Sequence, residues 1–122
     1  MSDDYDVLRR LESLTADDYV KAFESLREQI SVSDMRLLEA HYEAPGHVIT
    51  SAELAHKVGF ANYKAVNLRY GLLAKKFLEF FGLSLAKSVK VNALVTLEKK
   101  NDKWEWTLRP QVVEALSKVG FG

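Results

Sequence analysis

Lys57, Lys64, Arg69, Lys75 and Lys76 fall within TSAELAHKVGFANYKAVNLRYGLLAKKF, residues 50–77, where nearly every ionised side chain is basic and apolar residues come between. Cations spaced in this way suit either of two tasks: gripping phosphates, or forming the solvated face of a core helix. Enzymatic chemistry finds no matching inventory. His41, His47 and His56 lack a metal-ligand spacing and read as surface or core-edge side chains, and there is no G-x-S-x-G elbow or P-loop. Helix starts and solvated faces account for the carboxylates. With no cysteine there can be no disulfide, thiolate nucleophile or cysteine-ligated zinc. The expectation is a non-catalytic protein that needs neither metal nor cofactor.

The elements that must position these cations belong to a chain of 122 residues, 48% hydrophobic, which is enough for one domain with a real core. No apolar run approaches the roughly 18 residues of a membrane span, and MSDDYD is the opposite of a basic signal start. A soluble, cytoplasmic protein is expected. The formal charge of zero hides a segregation: residues 1–54 carry five Lys/Arg against twelve Asp/Glu, or −7, while residues 55–110 carry eleven against four, or +7. Such a chain either turns one sign towards a partner or neutralises itself across the fold.

Along the chain the pattern reads helices, then a hairpin, then a helix. Residues 1–44 form an acidic helical scaffold. Ser2 or Asp3 caps a helix over 4–13, Thr15 and Asp18 make a capping-box start for 16–30, and Ser33 caps a third helix through about Ala44, with Met35, Leu38 and Tyr42 on one stripe. Pro45-Gly46 ends that helix. Thr50 or Ser51 then caps a short helix through Val58, Gly59 makes the turn, and Asn62 caps a long helix from Tyr63 to about Phe81. In VNALVTLEKKNDKWEWTLRP two alternating stretches surround a polar turn, which predicts a β-hairpin over 89–109. Pro110 opens a closing helix over 110–119 that packs Val112, Val113, Leu116 and Val119.

Within residues 50–81, Leu54-Ala55, Val58-Gly59 and Val66 resemble the helix-turn-helix pattern of a small crossing residue, a turn glycine and a β-branched lock, with one residue more between glycine and valine than is usual. The hairpin that follows makes the order resemble a winged helix, with Lys99, Lys100 and Lys103 on the wing. Periodicity gives Val66, Tyr70, Leu73 and Phe77 to the core and leaves Lys64, Asn67, Leu68, Gly71 and Lys75 across the helix. In a helix-turn-helix that face enters the major groove, where Asn reads adenine and Lys meets guanine or phosphate. Gly71 in mid-helix costs about 1 kcal/mol relative to alanine, which suggests close approach of another backbone. Trp104 and Trp106 alternate onto one strand face, either covering the core or stacking on a base. Residues 33–122 are also similar, through ITSAELAHKVGFANYKAVNLRYGLLAKKF, WEWTLRP and LSKVGFG, to small accessory domains found N-terminal to HNH nucleases, some of which read modified DNA. No HNH motif is present, so the resemblance extends to the reading module and not to cleavage.

The expected fold is therefore α+β, mainly helical and winged-helix-like: N-terminal helices, a helix-turn-helix, a β-hairpin wing and a C-terminal helix in one domain. The expected function is recognition of a sequence or base modification in double-stranded DNA, with Ser51, Lys57, Asn62, Tyr63, Lys64, Asn67, Lys75, Lys99, Lys100 and Lys103 at the interface. The alternative is a protein-interaction or inhibitor role, in which a protein partner docks on the acidic N-terminal half.

Overall fold

In a computed structural model that describes residues 4–119, the chain is mainly helical with a small antiparallel sheet. Helix α1 spans Asp4–Ser13 and α2 spans Ala16–Ser25, followed by one 3-10 turn over Arg27–Gln29. Helix α3 runs Val32–Glu43, a 3-10 turn over Pro45–His47 leads into strand β1 (Val48–Thr50), and α4 covers Ser51–Val58. The long helix α5, Tyr63–Phe81, is followed by 3-10 turns over Lys87–Ala93, strands β2 (Val95–Lys100) and β3 (Lys103–Leu108), and α6, Pro110–Lys118. The strands pair in the order β1-β3-β2, with Ile49 opposite Trp106 and Leu97 opposite Trp106 on the other edge.

The helix starts follow from local hydrogen bonding. Thr15 with Asp18, Ser31 with Asp34 and Thr50 with Glu53 each form a reciprocal capping box, so two otherwise orphaned backbone N–H groups are satisfied at each start. Ser31, not Ser33, begins α3, because an acid stands three residues after Ser31 while Arg36 follows Ser33. The expected cap at Ser2 or Asp3 lies outside the described residues. The second helix ends at Ser25 instead of residue 30: the Leu26 N–H bonds back to Ala22 O and Glu24 O, and the chain turns so that both Leu26 and Ile30 pack on the core. The hairpin is shorter than the predicted 89–109, since residues 87–93 coil against α5 and only then does pairing begin. Its two-residue turn holds Asn101 at φ 50 and Asp102 at φ 64, the left-handed pair a tight hairpin requires.

The core sits between α2, α5, α6 and the inner face of the sheet. Phe23 meets Phe77 edge-on at 4.9 Å between ring centres, and Tyr19 meets Phe81 likewise at 5.2 Å. The Tyr19 hydroxyl is buried and donates to Ala93 O at 2.6 Å, tying α2 to the segment before β2. Gln111 Nε2 donates to Leu11 O and Leu14 O, each at 3.1 Å, so α6 satisfies carbonyls at the end of α1. Arg109, 5% exposed, donates through Nε to Asn92 O at 2.7 Å, and burial lowers its pKa.

Candidate nucleic-acid interface

Four residues, Gly59 to Asn62, connect α4 to α5. Gly59 takes φ 79, and the Phe60 N–H returns to Ala55 O at 2.9 Å, closing α4. Asn62 caps α5: its Oδ1 accepts from Lys64 N at 2.9 Å and Ala65 N at 3.3 Å. Its amide oxygen is thus occupied by the helix start, leaving only the Nδ2 donors for anything outside. Val66, Tyr70, Leu73 and Phe77 are buried as the 3.6-residue period requires, joined by Ala74 and Leu78. Opposite them Lys64, Asn67 and Lys75 are exposed, and with Gly71 they lie within about 80° of one another around the axis. Among the described residues nothing comes within 4 Å of a Cβ built on Gly71, so none of them supplies the expected close approach. Tyr63 stands half-exposed at the helix start, Ser51 is the first residue of α4 beside the capping Thr50, and Lys57 is exposed on α4.

The hairpin sorts its cations onto two faces. Lys99 lies opposite Trp104, and both belong to the inner face that carries Leu97, Trp106, Val95 and Leu108 towards the core. Lys100 pairs with Lys103 on the outer face, beside the facing pair Glu98 and Glu105. Lys100 Nζ is 3.7 Å from Glu98 Oε1 and 4.0 Å from Glu105 Oε1, so its charge is already met twice. The two tryptophans also part company. Trp106 is 6% exposed while Trp104, one step nearer the tip and past the end of the core, is 55% exposed. Alternation gives both the same face, but only one of them has something to cover. The Glu53 carboxyl is held below the usual carboxylate range first by the Thr50 hydroxyl and backbone, and further by the positive charges of Lys103 and Lys57.

A buried polar triad fixes α3, α5 and the sheet to one another. His41 is fully buried, a core residue and not the surface or core-edge one expected. Its Nε2 donates to Trp106 O at 2.9 Å, which leaves Nδ1 as the acceptor for the Tyr70 hydroxyl at 2.7 Å. Burial pushes the His41 pKa down to about 4, partly opposed by the hydrogen bond to Trp106 O, and burial raises that of Tyr70. The Tyr70 ring lies 5.5 Å from the indole of Trp106. On the residue just before Tyr70, Arg69 Nε stands 3.8 Å from Asp34 Oδ1, a buried oxygen that has no hydrogen bond.

The structure thus gathers Lys64, Asn67 and Lys75 on one face of α5, leaves Lys57 and Lys103 exposed on α4 and the hairpin, sets Lys99 opposite Trp104, and occupies Lys100 and the Asn62 oxygen internally. Beyond the expected residues it exposes Leu72 next to Leu68, forming an apolar flank that periodicity alone contains but that only the packing reveals as open. Among the described residues no group of three His, Asp or Glu side chains is placed to hold a metal ion, and no helix is long and apolar enough to cross a membrane. Compared with known proteins, the chain matches no family model, no curated protein and no solved structure.

Proposed function

We propose that this chain is a non-catalytic module that binds double-stranded DNA through the exposed face of α5 and the tip of the β2-β3 hairpin. One observation carries the reading: from Glu53 to Glu79 the sequence has no carboxylate, and the α5 face that this leaves open holds Lys64, Asn67, Gly71 and Lys75 side by side. A surface with two cations, a bidentate-capable amide and a side-chain-free position suits a groove edged by phosphates and floored by base edges. The succession of α3, β1, α4, α5, β2 and β3 supports the winged-helix reading of how that face is presented, with Lys99 and Lys103 at the wing. Recognition of a modified base is part of the proposal through the likeness to HNH-associated reading domains.

The acidic half supports an inhibitor role less well. Asp18, Asp34 and Glu53 are engaged in capping boxes, Asp34 also faces Arg69, and Lys118 Nζ reaches Asp17 Oδ1 at 3.2 Å. Binding to a randomised duplex pool, with and without methylated bases, tests the DNA reading. Wild type should enrich a preferred site, and Asn67→Ala should remove the preference at one base position while leaving non-specific affinity in place, a bidentate pair being worth about 1–3 kcal/mol of discrimination. Failure of wild type to bind any duplex at low salt would overturn the proposal.

A further inference from the structure

We propose that the groove along the outer flank of α5 binds an acidic amphipathic helix of a protein partner. Phe60, Ala61, Ala65, Leu68 and Leu72 line an open groove of about 420 Å³ beside the α4–α5 turn, with Arg69 at its edge. Leu68 is 65% exposed and Leu72 is 49% exposed, two large aliphatic side chains four residues apart that the described residues leave open to solvent. Residues at that spacing form a ridge, the element into which a second helix packs.

The charges around this ridge specify what the second helix carries. Lys64 and Lys75 flank the leucines on one side, and Arg69 and Lys76 flank them on the other. Lys76 Nζ reaches Gln29 O, but the Arg69 side chain remains 43% exposed above the buried Asp34. Asp34 is consumed by its capping box and by Arg69, and no other carboxylate lies in α4 after Glu53 or in α5 before Glu79. An occupant therefore places apolar residues over Leu68 and Leu72 and carboxylates towards Lys64 and Lys75, the flank whose cations have no ion pair among the described residues. Duplex DNA fits this flank poorly. Its phosphates answer the cations, but laying them over two leucines removes water from charged oxygens without supplying donors in return. The groove shares Lys64 and Lys75 with the DNA-facing sector of the proposed function, so a variant that leaves both lysines in place is needed to tell the two readings apart.

The probe is a fluorescein-labelled helical peptide of stated design, with leucine at i, i+3, i+4 and i+7 and glutamate elsewhere. Its control has lysine in place of glutamate. Anisotropy titrations and amide shifts on the full chain should show the acidic peptide binding at Phe60, Ala65, Leu68 and Leu72, and the lysine peptide binding at least about tenfold more weakly. The double variant Leu68→Gln/Leu72→Gln removes only exposed side chains and should melt with wild type while losing about tenfold or more in peptide affinity. Arg69 is left intact in this test, because removing it would strand the buried Asp34. Absence of peptide binding, equal binding of both peptides, or shifts confined to other surfaces would overturn the proposal. So would self-association of wild type that the double variant abolishes, which would assign the groove to a second copy. Loss of duplex affinity in the double variant as large as that of Lys64→Ala would also overturn it, assigning the groove to nucleic acid. Peptide binding without any duplex binding would uphold this site and remove the DNA reading.

Discussion

Replacing Lys99 and Lys100 one at a time should have unequal effects on DNA binding, although the two are neighbours in sequence and equally charged. Each phosphate neutralised on B-DNA steepens log K against log salt by about 0.9. If the exposed cations Lys57, Lys64, Lys75, Lys99 and Lys103 each take one phosphate, the slope is about −4.5, and affinity falls about 500-fold between 50 and 200 mM salt. Lys99 has no ion pair among the described residues, so Lys99→Ala should flatten the slope by about 0.9. Lys100 is shared between Glu98 and Glu105 at 3.7 and 4.0 Å, so its charge releases few counterions and Lys100→Ala should leave the slope nearly unchanged. The converse follows from the same geometry: Glu98→Gln with Glu105→Gln frees Lys100 and should steepen the slope by up to about 0.9. Anisotropy of a labelled duplex, titrated across that salt range, measures all three. Equal flattening by the two lysine variants would refute the internal pairing of Lys100, and no change with Lys99→Ala would take the hairpin out of the interface.

Three further outcomes are expected. Trp106→Ala should lower stability by about 3–5 kcal/mol, whereas Trp104→Ala should stay within about 0.5 kcal/mol and alter binding alone; thermal melts beside titrations separate them, and equal melting losses would mean that the tip of the hairpin is packed. Gly71→Ala should raise stability by about 1 kcal/mol, because a Cβ there meets nothing, and should weaken duplex binding if a DNA backbone approaches that face; unaltered binding would place Gly71 outside the interface. Stability should also fall on acidification through His41. The unfolded chain takes up this proton near its ordinary pKa of 6.5 while the folded chain resists to about pH 4, so stability is intact above pH 6.5, drops by about 3 kcal/mol as pH falls through that window, and levels below it. Urea unfolding at a series of pH values checks this, and a His41→Gln variant showing the same acid slope would assign the loss to other groups.

Much of the fold was legible because its boundaries are written in local chemistry. Asn62 and Gly82 bracket α5, the Thr15–Asp18 and Thr50–Glu53 boxes start α2 and α4, and Pro110 opens α6. The start of α3 was equally legible through Ser31 and Asp34 once the capping box is required and not merely a serine. Strand β1 was not: three residues are too few to show a period, and they become a strand only because β3 offers an edge to pair with. The site divides in the same way. Periodicity separated the core stripe of α5 from Lys64, Asn67 and Lys75, but it could not tell that the core stops short of Trp104, that Lys100 is met by two carboxylates, or that Leu72 has no cover. Each of these depends on where another element ends, and that is a tertiary fact. His41 is the extreme case, since its partners Tyr70 and Trp106 lie 29 and 65 residues away.

That triad also explains how one helix can serve as core on one side and as open surface on the other. The exposed half of α5 contributes little to its own stability: it includes a glycine and two uncovered leucines, and a helix draws most of its stability from its packed face. The packed face must therefore hold α5 rigidly, and it does so through polar contacts as well as through Phe77 and Leu73. Tyr70 is locked by His41 from α3, His41 is locked by the backbone of Trp106 from β3, and the indole closes the circuit against Tyr70. Because the hydrogen bond from His41 ends on a β3 carbonyl, two residues along the strand from Trp104, the register of the hairpin is set relative to the turn of α5 that carries Asn67 and Gly71. A buried network is costly to leave half-satisfied, so it favours one arrangement over near neighbours more sharply than apolar packing does. The packed end of the hairpin is thereby tied to α5 before any partner arrives, as the proposed DNA reading requires if the helix and the hairpin are to meet one duplex.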